Sequence, residues 1–134
     1  MTYRYANGVV MQRRDTGGKA GILFIGPEGK VKVNRGYIET EPADLINKLP
    51  GLNEIHLYKS PGHHDDWLQA IRTRRKPICD VEIGHRSASV CHIGNIAVWL
   101  NRTVKWDPAK EEFIGDDEAN KMLQRPMRSP WRLA

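Results

Sequence analysis

The front of this chain is punctuated as a series of hairpins, and that pattern limits it to short strands joined by tight turns. Asn7-Gly8, Gly17-Gly18, Gly26-Pro27-Glu28-Gly29 and Gly36 separate β-prone runs at residues 2–5, 9–14, 21–25, 30–34 and 37–40. Glycine and asparagine supply the backbone angles that such reversals require. Val31 and Val33 alternate with Lys30, Lys32 and Asn34. One face of that strand is therefore apolar and the other wetted, as in an antiparallel sheet covered on one side. Residues 41–53 carry Pro42, Pro50 and Gly51 and read as an irregular connection. A further short strand is expected over residues 54–58.

Behind this the hydrophobic period lengthens. A helix is expected over residues 63–75. Asp65 and Asp66 stand in its first turn, Trp67, Leu68 and Ile71 form its apolar face, and Lys76-Pro77 stops it. A second helix should begin after Asp80, a suitable N-cap, and run to residue 101. Ala88, Val90, Cys91, Ile93, Ile96, Ala97, Val98 and Leu100 make it apolar on more than one side, so it is expected to be the central and most buried helix. Gly94 would allow a close backbone approach there, and His92 and Asn95 should be buried in a hydrogen-bonded network. Cys79 and Cys91 read as ordinary buried thiols. Short strands over 104–106 and 112–114 and a capped helix over 116–124, ended by Pro126, complete the pattern. The tail, residues 125–132, is too rich in proline for a helix and should lie extended, with Trp131 as an anchor. These elements predict a single domain over 1–134 of the α/β class, in its α+β form. Its core would be a mostly antiparallel open sheet of about five or six strands with helices packed on one face.

Composition excludes several functions. The 134 residues are ample for one domain with its own core. The two cysteines have neither CxxC spacing nor histidines at zinc-finger distances, and no apolar signal segment follows Met1, which predicts free thiols in a reducing cytoplasm. The longest nearly uncharged stretch, residues 87–100, is too short to cross a bilayer. A net charge of +5 arises from 21 basic and 16 acidic side chains. It concentrates in Arg72, Arg74, Arg75 and Lys76 and again in Arg125, Arg128 and Arg132. Neither cluster is interleaved with stacking aromatics or set in a groove-reading motif, so no nucleic-acid partner is expected. The first cluster instead suits the negative end of a helix dipole.

The order of motifs in the back portion is specific. Residues 67–75 followed by Pro77, then Glu82-Ile83-Gly84-His85-Arg86-Ser87, Cys91-His92-Ile93-Gly94-Asn95-Ile96-Ala97, Trp106-Asp107-Pro108, Phe113-Ile114-Gly115-Asp116, and Arg125-Pro126 with Pro130-Trp131 together resemble the C-terminal tail of glucose-fructose oxidoreductase/inositol dehydrogenase/MocA-like oxidoreductases, especially a bacterial subgroup. Tyr3-Arg4-Tyr5-Ala6-Asn7-Gly8 and Phe24-Ile25-Gly26-Pro27-Glu28-Gly29 are similar, more loosely, to that family's strand-turn-strand segment. The resemblance implies a parent activity of NAD- or NADP-dependent hydride transfer on a sugar, cyclitol or related polyol. It also implies a half that shapes the substrate pocket and makes subunit contacts through the open face of its sheet.

The nucleotide-binding half of that family is not visible here. A dinucleotide site needs a strand leading into GxGxxG at a helix N-terminus, and neither Gly17-Gly18 nor the Gly26 to Gly29 turn has that form. The family's Glu-Lys-Pro motif and its Asp-x-x-x-His pair are also absent, Asp80 and His85 being one residue too far apart. No catalytic, cofactor-binding or metal-ligating residue is therefore assigned. The chain is expected to be inactive by itself and to bind no cofactor. It reads as a detached C-terminal domain, or else as a free-standing binding or oligomerisation module.

Three side chains are candidates for the substrate pocket. His63 matches a histidine at this helix start in the resembling proteins, while His85 and Arg86 fall in the first turns of the long helix, where imidazole and guanidinium can meet an anionic or hydroxylated ligand. The structural alternative is that Arg86 pairs with Glu82 at i, i+4 and His85 packs against the sheet. His63-His64-Asp65-Asp66 offers four metal-ligand types, but neighbouring helical residues point apart, and the aspartates better suit the helix start. Self-association through the sheet face is the expected partnership.

Overall fold

The computed structural model describes residues 1–14 and 20–131, and the chain divides into two compact units, Met1–Lys59 and Ser60–Ala134. In the first unit β1 (Thr2–Arg4) and β2 (Val10–Gln12) form an antiparallel ribbon with Tyr3 opposite Met11. Its reversal is at Asn7-Gly8: Asn7 Oδ1 accepts the Val9 N–H at 3.1 Å, and Gly8 adopts φ 87°. The expected turn at Gly17-Gly18 lies outside the described residues.

A three-stranded meander follows, of β3 (Ile22–Gly26), β4 (Gly29–Asn34) and β5 (Tyr37–Glu41). Its register sorts the side chains by face, because successive residues of a strand point to opposite sides. Ile22, Val33 and Ile38 form one row and Phe24, Val31 and Thr40 another, and both rows lie on an apolar face. The opposite face carries Leu23, Lys32 and Glu39, then Ile25, Lys30 and Glu41, with Lys30 Nζ 2.9 Å from Glu41 Oε2. A 3-10 helix, Ala43–Asn47, turns back beside β5, and Thr40 Oγ1 donates to the Ala43 carbonyl at 3.1 Å. Leu45 of this turn lines a shallow hollow with Phe24 and Val31 at one end of the apolar face.

The strand expected over residues 54–58 does not form. Glu54 Oε2 accepts the Gly51 N–H at 2.8 Å, and His56 Nε2 stands 2.9 Å from the Gly51 carbonyl. These local side-chain bonds offer the backbone an alternative to a ladder, and Ile55 and Leu57 are left exposed.

The second unit holds α1 (His63–Thr73), α2 (Val81–Trp99), β6 (Trp106–Asp107), β7 (Glu112–Phe113) and α3 (Asp117–Lys121). The first helix stops two residues short of the expected end because Arg74 takes the left-handed conformation, φ 58°, that commonly terminates helices. Asp80 caps α2 as expected, its Oδ1 accepting the Ile83 N–H at 3.1 Å. That bond, and then Lys76, hold the Asp80 carboxyl below the usual aspartate range. Ile96, Phe113 and Ala119 form the buried centre, against which Ile93, Leu100, Val104, Trp106 and Met122 pack. Trp106 and Phe113 meet edge to face across the β6–β7 pair, with centroids 5.0 Å apart. Asn120 fastens α3 to that pair: its Oδ1 accepts the Phe113 N–H at 2.7 Å and its Nδ2 donates to the Phe113 carbonyl at 2.9 Å.

The α/β class and the antiparallel pairing agree with the sequence reading, but among the described residues the strands divide into three sheets of two, three and two strands instead of joining one. The long helix also differs from expectation. Only Gly94 and Ile96 of α2 are buried. Its covered stripe runs through Ile93, Gly94, Ile96 and Leu100, since the short elements β6, β7 and α3 reach only that side of its C-terminal half. His92 and Asn95 fall on the next stripe and are exposed, so no buried network forms around them. Cys79 and Cys91 are exposed as well, and Trp131, expected as an anchor, is 66% exposed. Among the described residues no helix is long and apolar enough to cross a membrane.

Candidate functional site

Two consecutive side chains on α2 converge on one carboxylate. His85 and Arg86 project from its second turn, and the loop between β6 and β7 brings Glu111 to meet them. That loop is built by Asp107, whose Oδ1 accepts the N–H groups of Ala109 at 2.9 Å and Lys110 at 3.2 Å in an Asx turn. The Glu111 N–H donates to the Asp107 carbonyl at 2.8 Å, and Glu111 itself adopts φ 56°. The side chain is thereby aimed at the helix.

Glu111 Oε1 lies 2.7 Å from His85 Nε2 and 3.0 Å from Arg86 Nη1. Arg86 also donates through Nε to Glu82 Oε1 at 2.7 Å and through Nη1 to the Pro108 carbonyl at 2.7 Å. Its guanidinium thus ties the helix to the loop. The hydrogen bond from His85, reinforced by the charges of His85 and Arg86, holds the Glu111 carboxyl below the usual glutamate range. The Glu82 hydrogen bond, with the charges of both carboxylates, pushes the Arg86 guanidinium up. His85, Arg86 and Glu111 are each close to half exposed, so the cluster presents donors and an acceptor to solvent. A half-exposed imidazole whose Nε2 is fixed by a carboxylate keeps its other ring nitrogen for a ligand.

The Arg86–Glu82 pair anticipated from i, i+4 spacing is present. His85, in contrast, makes its polar contact with the loop carboxylate. Glu111 itself was not among the sequence candidates. Its only signal was the Asp107-Pro108 turn start, which shows that a turn exists but not which later side chain it turns toward the helix.

His63 stands apart from this cluster. It is the first residue of α1, its ring 4.1 Å from that of His64, and it is exposed. The run His63-His64-Asp65-Asp66 is split by the helix: Asp66 is 2% exposed and accepts Arg75 Nη2 at 2.7 Å and the Ile78 N–H at 2.8 Å. Among the described residues no three histidines, cysteines or carboxylates stand together as a metal site.

The glycine-rich turn does not suit a dinucleotide. Gly26 and Gly29 flank the reversal between two antiparallel strands, and the short 3-10 helix capped by Pro42 beside them does not follow the glycine turn as the helix of a dinucleotide site does. Gly29, at φ 154°, is required by packing, since a Cβ there would collide with the Glu41 carbonyl and lie 3.0 Å from Pro42 Cδ. Glu28 beside it is paired with Lys48 at 2.6 Å.

Comparison with known proteins places the chain. No curated protein and no solved structure matches it. The family model described as "Oxidoreductase family, C-terminal alpha/beta domain", of the glucose-fructose oxidoreductase/inositol dehydrogenase/MocA group, matches residues 1–133. With nearly every residue inside that match, the chain belongs to this oxidoreductase family as its C-terminal α/β domain.

Proposed function

We propose that this chain is the substrate-side portion of an NAD- or NADP-dependent oxidoreductase acting on a sugar, cyclitol or related polyol in the cytoplasm. The observation that carries the reading is the His85–Arg86–Glu111 cluster, half-exposed and rich in hydrogen-bonding groups, in a chain matched throughout by an oxidoreductase family model. Vicinal hydroxyls are both donors and acceptors, and an imidazole, a guanidinium and a shared carboxylate offer the complementary set. His63 contributes from the start of α1. The chain supplies pocket and subunit contacts and is not catalytic by itself, the nicotinamide nucleotide being held by another part of the parent enzyme. Subunit contact is made through the apolar face of the β3–β4–β5 sheet, where Ile22, Phe24, Val33 and Ile38 lie together. A free-standing assembly module is the second reading, and that same apolar face favours it.

Titration with an aldose, a cyclitol, NAD and NADP separates the readings. The polyol should shift the His85 ring signals in a saturable way, and Arg86→Ala should abolish that response. Calorimetry with either nucleotide should give no saturable heat. Micromolar nucleotide binding, or His85 signals indifferent to every polyol, would overturn the assignment.

A further inference from the structure

The hydrogen-bonding positions left over at the His85 cluster are of two kinds. Arg86 Nε is occupied by Glu82 Oε1, and Nη1 by the Pro108 carbonyl and Glu111 Oε1. Glu111 Oε1 is shared between that Nη1 and His85 Nε2. A carboxylate only accepts, so the neutral ring carries its proton on Nε2 and Nδ1 is an acceptor. Among the described residues no hydrogen bond takes up Arg86 Nη2 or Glu111 Oε2. Each of these atoms is one carbon away from the 3.0 Å contact of Nη1 with Oε1, so a donor and an acceptor stand together beside it. The charges are unequal as well. One guanidinium faces two carboxylates, Glu82 and Glu111, while Lys110, the preceding side chain in the loop, is turned to Glu112 at 3.6 Å. With a neutral imidazole the cluster is negative, in a chain whose net charge is +5.

We infer that Glu111 determines the specificity of this site, so that it takes a pair of neighbouring neutral hydroxyls and keeps carboxylate and phosphate groups out. The inference rests on the polyol reading above and narrows it by charge. One hydroxyl oxygen accepts from Arg86 Nη2 while its neighbour donates to Glu111 Oε2, an arrangement that uses both properties of a hydroxyl group. An ionised acid group has acceptors alone. If it meets Nη2 it also lies against Oε2, where like charges repel with no proton between them. An open guanidinium would favour the acid, since its fork holds carboxylate and phosphate by two parallel bonds. Here Nε and Nη1 are already engaged, and the fork is closed. Glu111 thus turns a side chain suited to anions toward diols. The field of the whole chain does the reverse, because a net positive protein attracts anions. Any preference for the neutral ligand therefore arises at the cluster.

Chemical-shift titration of the His85 ring with glucose, myo-inositol, acetate and inorganic phosphate tests this, at slightly alkaline pH, where an imidazole is ordinarily neutral. Both polyols should give saturable shifts, and both anions should bind about tenfold or more weakly. Far-UV circular dichroism confirms that each variant is folded. Glu111→Gln keeps an acceptor oxygen but loses the charge, and it should admit acetate and phosphate while still binding the polyols. Glu111→Asp keeps the charge and should still exclude both anions. Glu118→Gln removes one negative charge from α3, where Glu118 pairs with Arg102, and should leave the exclusion unchanged. Ring signals that do not respond to either polyol overturn this inference together with the polyol reading. Anions that bind the unsubstituted chain as tightly as the polyols overturn the inference alone. So does exclusion that persists in Glu111→Gln or is lost equally in Glu118→Gln.

Discussion

Arg75 Nη2 reaches back nine residues to donate to Asp66 Oδ1 at 2.7 Å, so the far side of the helix end is tied to a carboxylate in the first turn of α1. The same carboxylate accepts the Ile78 N–H at 2.8 Å through its other oxygen. One buried aspartate therefore fixes both the course of the chain leaving α1 and its approach to α2.

Asp66→Ala removes an acceptor from a part-buried N–H, and the cost of such a loss is on the order of 1–3 kcal/mol. Chemical denaturation should show a lower midpoint for Asp66→Ala, with Asp65→Ala, at an exposed neighbour, close to the unsubstituted chain. Equal effects from the two would deny Asp66 its special place.

The acid limb of stability should depend on Asp116. Its Oδ1 accepts the Ala119 N–H at 3.1 Å as the cap of α3 and Arg102 Nη2 at 2.8 Å, its Oδ2 contacts Arg102 Nη1, and Arg102 Nη2 also meets Glu118 at 2.9 Å. The Arg102 hydrogen bonds, followed by the Ala119 N–H, pull the Asp116 carboxyl down to about 2. A group whose folded value lies below its unfolded one stabilises the fold at higher pH, and that contribution disappears as pH falls from about 4 toward the folded value. Urea midpoints measured between those limits should fall with pH. Arg102→Ala should flatten this limb, and Arg102→Lys, which keeps the charge but loses the bidentate fork, should lie between.

Gly94 is buried in the covered stripe of α2, two residues before Ile96. Gly94→Leu should overpack that stripe and cost roughly 1–3 kcal/mol or more, whereas Gly84→Leu, at a helix position where an added Cβ meets nothing within 4 Å, should cost little. Denaturation midpoints compare the two directly. A fall for Gly84→Leu as large as that for Gly94→Leu would show that overpacking of the covered stripe is not what sets the loss, since leucine is by itself the better helix former.

Much of this architecture was written locally in the chain. The glycine turns and the alternation of Val31 and Val33 with lysines determined the meander and the face each residue takes, because strand side chains alternate whatever else the chain does. Asp80 and Asp116 identified the starts of α2 and α3, since a cap needs only the N–H groups of the next turn. The motif order determined the family. Burial was not determined locally: the all-round apolar character of α2 suggested a central helix, but exposure depends on what packs against each stripe, and here β6, β7 and α3 cover one. The cluster at His85 likewise waited on tertiary structure, because Glu111 is 26 residues away in the chain and only the Asp107 turn brings its carboxylate within 2.7 Å of the imidazole. Spacing along the sequence reports neighbours on one element, and a hydrogen bond between elements depends on the path of the chain that joins them.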